Sequence, residues 1–378
     1  MVPDPVILVS VVVARLLLPL LIPKFPLPAI LGCLVLDGVD QSIFQAFTSY
    51  DLSGYQSYDK ALDIYYLTIA YLATMRNWSN QSAFRVSRFL FFYRLVGVVA
   101  FEFTQVRALL LIFPNTFEYF FIFYEAVRSR WEPRRMTTRF VVVATAAIWI
   151  FVKLPQEYWI HIAQLDTTDL IKEKIFGVNA SSSWSDAVAN RPWVVVVALI
   201  VVAALYFALR WFAHNKLPVA DHSLRLAADP LPTEIDTAAE VAAFRAKFGR
   251  VFDANLLEKV VLISLVSIVF AQFLPNIEAS PLQVTLGVFV LVTANSLLGL
   301  WTARHERSIS SLALSFVALA CLNVALVVIA NWLLDLSNGD LQIGATLFFV
   351  LLLTLIVTLY DRFRPVSQLR FAGTGLKQ

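Results

Sequence analysis

Nine ionisable side chains stand inside apolar stretches of residues 1–127: Arg15, Asp37, Asp40, Asp63, Arg94, Glu102, Arg107, Glu118 and Glu125. Charge in hydrocarbon is costly, so such residues usually face a bundle interior or a water-filled cavity and often mark function. Asp37 and Asp40 are spaced i,i+3, and Asp59 and Asp63 i,i+4, so each pair lies on one face of its helix. If the two helices are neighbours across residues 48–58, four carboxylates converge. Such a group repels itself unless it keeps protons or is neutralised by cations such as Mg²⁺ or by arginine. Arg15, Lys60 and Arg94 are the candidate counter-charges.

Three roles are therefore open on these residues. Asp37, Asp40 and Asp59 are candidate metal ligands, and Asp37, Asp40 and Asp63 candidate catalytic carboxylates. Arg15, Arg94, Glu102, Arg107, Glu118 and Glu125 are candidates for contacting substrate or for balancing charge between helices. Arg94 and Glu102 are too far apart along one helix to pair, so each needs a partner on another. Glu118 and Glu125, seven apart, are expected to be neutral or to pair with Arg107 or Arg128. The structural reading of the same pattern is that Asp59 and Asp63 mark the wet start of a helix, where acids are favoured.

The run Asp37-Gly38-Val39-Asp40, followed by Gly54 and by Asp59-x-x-x-Asp63, resembles the motif of CDP-alcohol phosphotransferases. Gln41 and Ser42 stand where that motif has Ala-Arg, and four residues instead of three separate Gly54 from Asp59. The resemblance implies that Asp37, Asp40 and Asp59 hold metal and that Asp63 acts as base on a lipid substrate.

The elements that position these residues are read from hydropathy. The chain has 378 residues, 59% hydrophobic and 15% charged, against roughly 25% charged in a soluble domain. Long apolar runs at 194–209, 260–273 and 347–360 approach the length of helix a bilayer needs. The expected fold is an all-α polytopic transmembrane bundle of about eleven spans. In the C-terminal part they lie near 139–154, 192–213, 257–275, 282–301, 309–334 and 341–360. In the N-terminal part they lie near 6–22, 28–47, 60–75, 89–112 and 115–127, some of them half-length or re-entrant. An amphipathic interfacial region is predicted at 155–191.

Lys and Arg mark cytoplasmic loops. Arg128, Arg130, Arg134, Arg135 and Arg139 form the strongest such marker, and the loops alternate to put the N-terminus outside and the C-terminus in the cytoplasm. The expected location is the plasma membrane. Residues 1–5 carry no Lys or Arg, so the first apolar run is read as a retained helix. Two modules are predicted: a charge-bearing one at 1–127 and a six-span bundle at 128–378 with a helical cytoplasmic insert at 214–255. The last four spans carry no ionisable residue deep in their apolar stretches, which places any site in the N-terminal half.

No basic stripe interleaved with aromatics suggests nucleic acid, and the four histidines show no ligand spacing. Cys33 and Cys321 read as core residues, and no phosphate loop, G-x-S-x-G or H-E-x-x-H occurs. Membrane lipids are the expected partners, together with a partner subunit or a second copy. Three function classes stay open: a metal-dependent enzyme on a lipid or polyprenyl phosphate, a transporter or flippase, and a non-catalytic subunit of a membrane complex.

Overall fold

The computed structural model describes residues 4–48, 55–165, 167–230, 253–273, 281–304, 312–334 and 343–372. Their only regular secondary structure is helix, with no strands among the described residues. Residues 231–252 of the helical insert expected at 214–255 lie outside them.

Six helices among the described residues are long and apolar enough to cross a membrane. The first is α1 (Asp4–Leu17), extended by a 3₁₀ turn to Leu21. Pro19 and Pro23 end it, and Pro26 opens α2 (Pro26–Phe47), where a missing N–H costs nothing. The others are α7 (Thr138–Ile162), α10 (Pro192–Lys216), α11 (Ala254–Phe273) and α14 (Ile343–Ala372). Between α2 and α7 come α3 (Tyr55–Asn77), α4 (Gln81–Thr104), α5 (Ala108–Ile112) and α6 (Thr116–Arg128). Short α8 (Thr167–Leu170) and α9 (Trp184–Asn190) precede α10, while α12 (Pro281–Arg304) and α13 (Leu312–Leu334) precede α14.

Helix α3 is the axle of the bundle. It touches α1, α2, α4, α6, α11 and α14, and from Ala61 to Met75 almost every side chain is buried. Protein instead of lipid surrounds it, which is why it tolerates aspartates, tyrosines and threonines that would be costly against hydrocarbon. One continuous core joins Tyr71 of α3 to Leu262 of α11 and Val357 of α14, so residues 1–127 and the C-terminal helices share their interior. Helix α10 is the opposite case: its apolar side chains are exposed along most of its length, as suits a lipid-facing helix.

Two expected elements differ from their expected course, and a third, the short segment at 115–127, is found as α6. The stretch 89–112 is not one helix: Gln105 adopts a left-handed φ of 55° and closes α4, and α5 doubles back. Gly97 permits the return, because a Cβ there would lie 2.1 Å from the Cβ of Phe113. Helix α6, 13 residues long, spans only about 20 Å at 1.5 Å per residue and is fixed by stacking, with Trp78 and Tyr124 ring centroids 3.8 Å apart. The helix expected to stop at residue 154 runs on to Ile162. Pro155 removes a donor and crowds the preceding turn, and the π-helical turns Ile148–Lys153 and Tyr158–Ile162 flank it.

The basic loops gather at one end of the molecule. Arg76 donates to the Pro23 carbonyl at 3.1 Å, Asn80 to those of Pro133 and Met136, and Arg370 to that of Trp78 at 3.0 Å. Residues 217–228 lie along 128–135: Ala228 N–H reaches Lys24 O at 2.8 Å, and Asp221 accepts from the Glu132 N–H at 2.9 Å and from Arg135 at 2.7 Å.

The Glu132 amide, with Arg135 beside it, holds the Asp221 carboxyl below its ordinary value of 3.8. A depressed folded-state pKa stabilises docking above the unfolded value and stops doing so as pH falls through the folded one. Near neutral pH, Asp221→Asn is expected to lower hydrogen-exchange protection at 217–228, and the difference from wild type should vanish in acid. Equal protection of the two proteins at every pH would contradict this docking.

Candidate functional site

Arg15 lies in the last turn of α1 and is 3% exposed in its side chain. A guanidinium offers five N–H donors in a planar fork. Here that fork meets four carboxylates on two other helices. Nη1 donates to Asp40 and, at 2.9 Å, to Asp59; Nη2 donates to Asp37 and, at 3.0 Å, to Asp63. The two i,i+3 and i,i+4 pairs each present one face, and α1 enters between them. The Tyr65 hydroxyl donates to the Leu16 carbonyl at 2.9 Å and fixes the backbone beside Arg15. The Tyr58 ring centroid lies 5.6 Å from the Arg15 Cζ.

The four carboxylates are not equivalent. Asp40 is fully buried behind the guanidinium, whereas Asp37, Asp59 and Asp63 keep 23%, 30% and 23% of their side chains exposed. One oxygen from each of these three lies within 4.8 Å of the others, a spacing that can hold a metal ion. Four carboxylates against one guanidinium leave three formal negative charges. A low-dielectric setting does not tolerate that surplus, so protons or a bound cation must offset it.

The other residues singled out from the sequence fall elsewhere. Lys60 turns away, its Nζ 4.0 Å from the Phe101 ring centroid and within electrostatic reach of Glu102 and Arg107. Arg94 donates to the Phe113 carbonyl at 2.9 Å and approaches Glu157 of α7 at 3.9 Å. Glu118 accepts from the Tyr66 hydroxyl at 2.6 Å and from Asn115 at 3.0 Å. Glu125 pairs with Arg128 at 2.6 Å and accepts from the Trp78 indole at 2.8 Å.

Sequence reasoning passed over two groups. Lys153 and Glu157 are buried in α7, where Pro155 had marked the end of a span. Glu258 and Lys259 are buried in the second turn of α11. Glu258 accepts from Tyr71 at 2.5 Å and pairs with Arg364 at 3.0 Å, and Lys259 pairs with Asp361 at 2.9 Å. Charged knots therefore also occur in the C-terminal helices; the available signal was an acid-base doublet opening an apolar run.

Comparison with protein-family models, with curated proteins and with solved structures finds no match.

Removing one partner of a buried ion pair leaves charge uncompensated, at a cost of about 3–5 kcal/mol. Arg15→Gln should accordingly lower thermal stability in detergent by an amount of that order, and Asp40→Asn added to it should restore part of the loss. An Arg15→Gln protein as stable as wild type would contradict the four-carboxylate tie.

Proposed function

We propose that the chain is a multi-pass membrane protein that moves or reorients a lipid or small solute, using a cation held by Asp37, Asp59 and Asp63. The observation that carries this reading is the charge surplus: three half-open carboxylates share one guanidinium, with Asp40 and Arg15 sealed behind them. A divalent cation arriving at the three oxygens offsets two of the three surplus charges and loosens their hold on Arg15, so occupancy is coupled to how α1 sits against α2 and α3.

The plasma membrane, an outside N-terminus, a cytoplasmic C-terminus and about eleven helical passes, some re-entrant, complete the proposal. A second reading is a metal-dependent enzyme on a lipid phosphate, favoured by the same three oxygens within 4.8 Å. In it Mg²⁺ sits on these carboxylates; Asp63, already accepting from Arg15, is a poor base until that bond is released.

Mn²⁺ titration followed by electron paramagnetic resonance tests the cation site. Wild type in detergent is expected to bind Mn²⁺ in competition with Mg²⁺. Asp37→Asn and Asp63→Asn should each weaken binding about tenfold or more, and Glu102→Gln should not. A folded wild type that takes up no Mn²⁺ would leave the knot as a purely structural pin and sink the proposal.

A further inference from the structure

Helices α4 and α7 run side by side in the same direction. The Ser82 and Thr138 hydroxyl oxygens lie 2.6 Å apart, and eleven residues on in each helix the Tyr93 and Trp149 rings pack with centroids 5.3 Å apart. The seam between these contacts is about 16 Å long at 1.5 Å per residue, half of a hydrocarbon core about 30 Å thick. It opens at the basic end of the molecule, where Asn80, just before α4, donates to the Pro133 and Met136 carbonyls, just before α7.

Two arginines flank this opening. Arg85 comes three residues after Ser82, and Arg139 directly follows Thr138. At about 100° per residue, Arg85 is turned about 60° from the contact in one sense and Arg139 about 100° in the other. In parallel helices that face each other, opposite turns lead to the same side. That side is the outer one: Phe89, Val96 and Val142 are exposed along it, whereas Ser87 and Phe91 of α4 and Val141 of α7 are buried on the reverse.

Both arginines are exposed, and no acidic side chain among the described residues pairs with either. Arg88, one turn beyond Arg85, differs in being held by Glu258 at 3.1 Å. The backbone donors at the two helix starts are already capped, by Asn80 on the Ala83 N–H at 2.9 Å and by Thr137 on the Phe140 N–H at 3.2 Å. Recognition at this opening therefore falls to side chains.

Two uncommitted guanidiniums beside two hydroxyls suit an anion with several acceptor oxygens. The apolar strip that continues from them suits a hydrocarbon chain. A phospholipid carries both parts. We propose that the outer side of the α4–α7 seam binds an anionic phospholipid, with its phosphate at Arg85 and Arg139 beside Ser82 and Thr138, and an acyl chain along Phe89 and Val142. A choline headgroup brings its own cation to the phosphate and gains less from the two arginines, so the site favours a lipid of net negative charge. This site goes beyond the cation reading and uses none of its residues.

The test is native mass spectrometry of the full-length protein released from nanodiscs of equal parts phosphatidylcholine and phosphatidylglycerol. Wild type should retain phosphatidylglycerol in preference to phosphatidylcholine. Arg85→Gln/Arg139→Gln should weaken that retention about tenfold or more, and Arg85→Lys/Arg139→Lys should keep part of it. Arg130→Gln/Arg134→Gln removes the same charge from exposed positions at the same end and should retain phosphatidylglycerol as wild type does. The inference is overturned if folded wild type shows no preference between the two lipids, or if Arg85→Gln/Arg139→Gln retains as much as wild type. Equal loss in both Gln double variants also overturns it, because general attraction to a basic surface then accounts for the binding.

Discussion

A guanidinium in a bilayer-spanning helix has no water to complete its shell, so protein must replace that water or the helix will not stay in place. Arg15 is solvated by carboxylates from α2 and α3, and each of those four carboxylates in turn accepts from Arg15. The dependence is mutual and uneven. One guanidinium organises four carboxylates, fixes three helices against each other, and leaves three formal negative charges to be offset by protons or a cation. Under the proposed function, structural pin and cation site are the same atoms, because the formal charge excess that makes the knot incomplete as a pin is what a cation would offset.

The rest of the bundle is arranged so that this expense is confined. Helix α3 carries Asp59, Asp63, Tyr66 and Tyr71 along its length, and they find partners on three neighbours: both aspartates on Arg15 of α1, Tyr66 on Glu118 of α6 and Tyr71 on Glu258 of α11. A helix of that polarity is stable at membrane depth only inside a sheath. Helices α1, α2, α7 and α10 supply the lipid-facing surface, with most of their apolar side chains exposed to the surroundings. Polar content and lipid exposure are thus divided between helices, more than between the faces of one helix.

How much of this was legible in the sequence follows the same division. Helical class and membrane character were readable because α10 and α11 are continuous apolar runs whose composition alone decides. The i,i+3 and i,i+4 spacings revealed which aspartates share a face, because that depends only on helix geometry. The choice of Arg15 over Lys60 as their partner was not legible: it depends on α1 folding back at Pro19 and Pro23, and on Lys60 finding the Phe101 ring. Nor was the meeting of Arg94 with Glu157, which requires both the break at Gln105 and a helix that absorbs Pro155 through π turns. The breaks in α4 and α7 bring together side chains that lie far apart in sequence, and periodicity carries no record of them.

The central claim is that Asp37, Asp59 and Asp63 form an ion site sharing its carboxylates with Arg15. Anomalous scattering from crystals of the full chain grown with Mn²⁺ tests it most directly. The account predicts a peak bounded by these three side chains, with Arg15 still paired to Asp40 and drawn back from at least one of the others. A map with no peak there, and with Arg15 holding all four aspartates at full Mn²⁺ load, would contradict it.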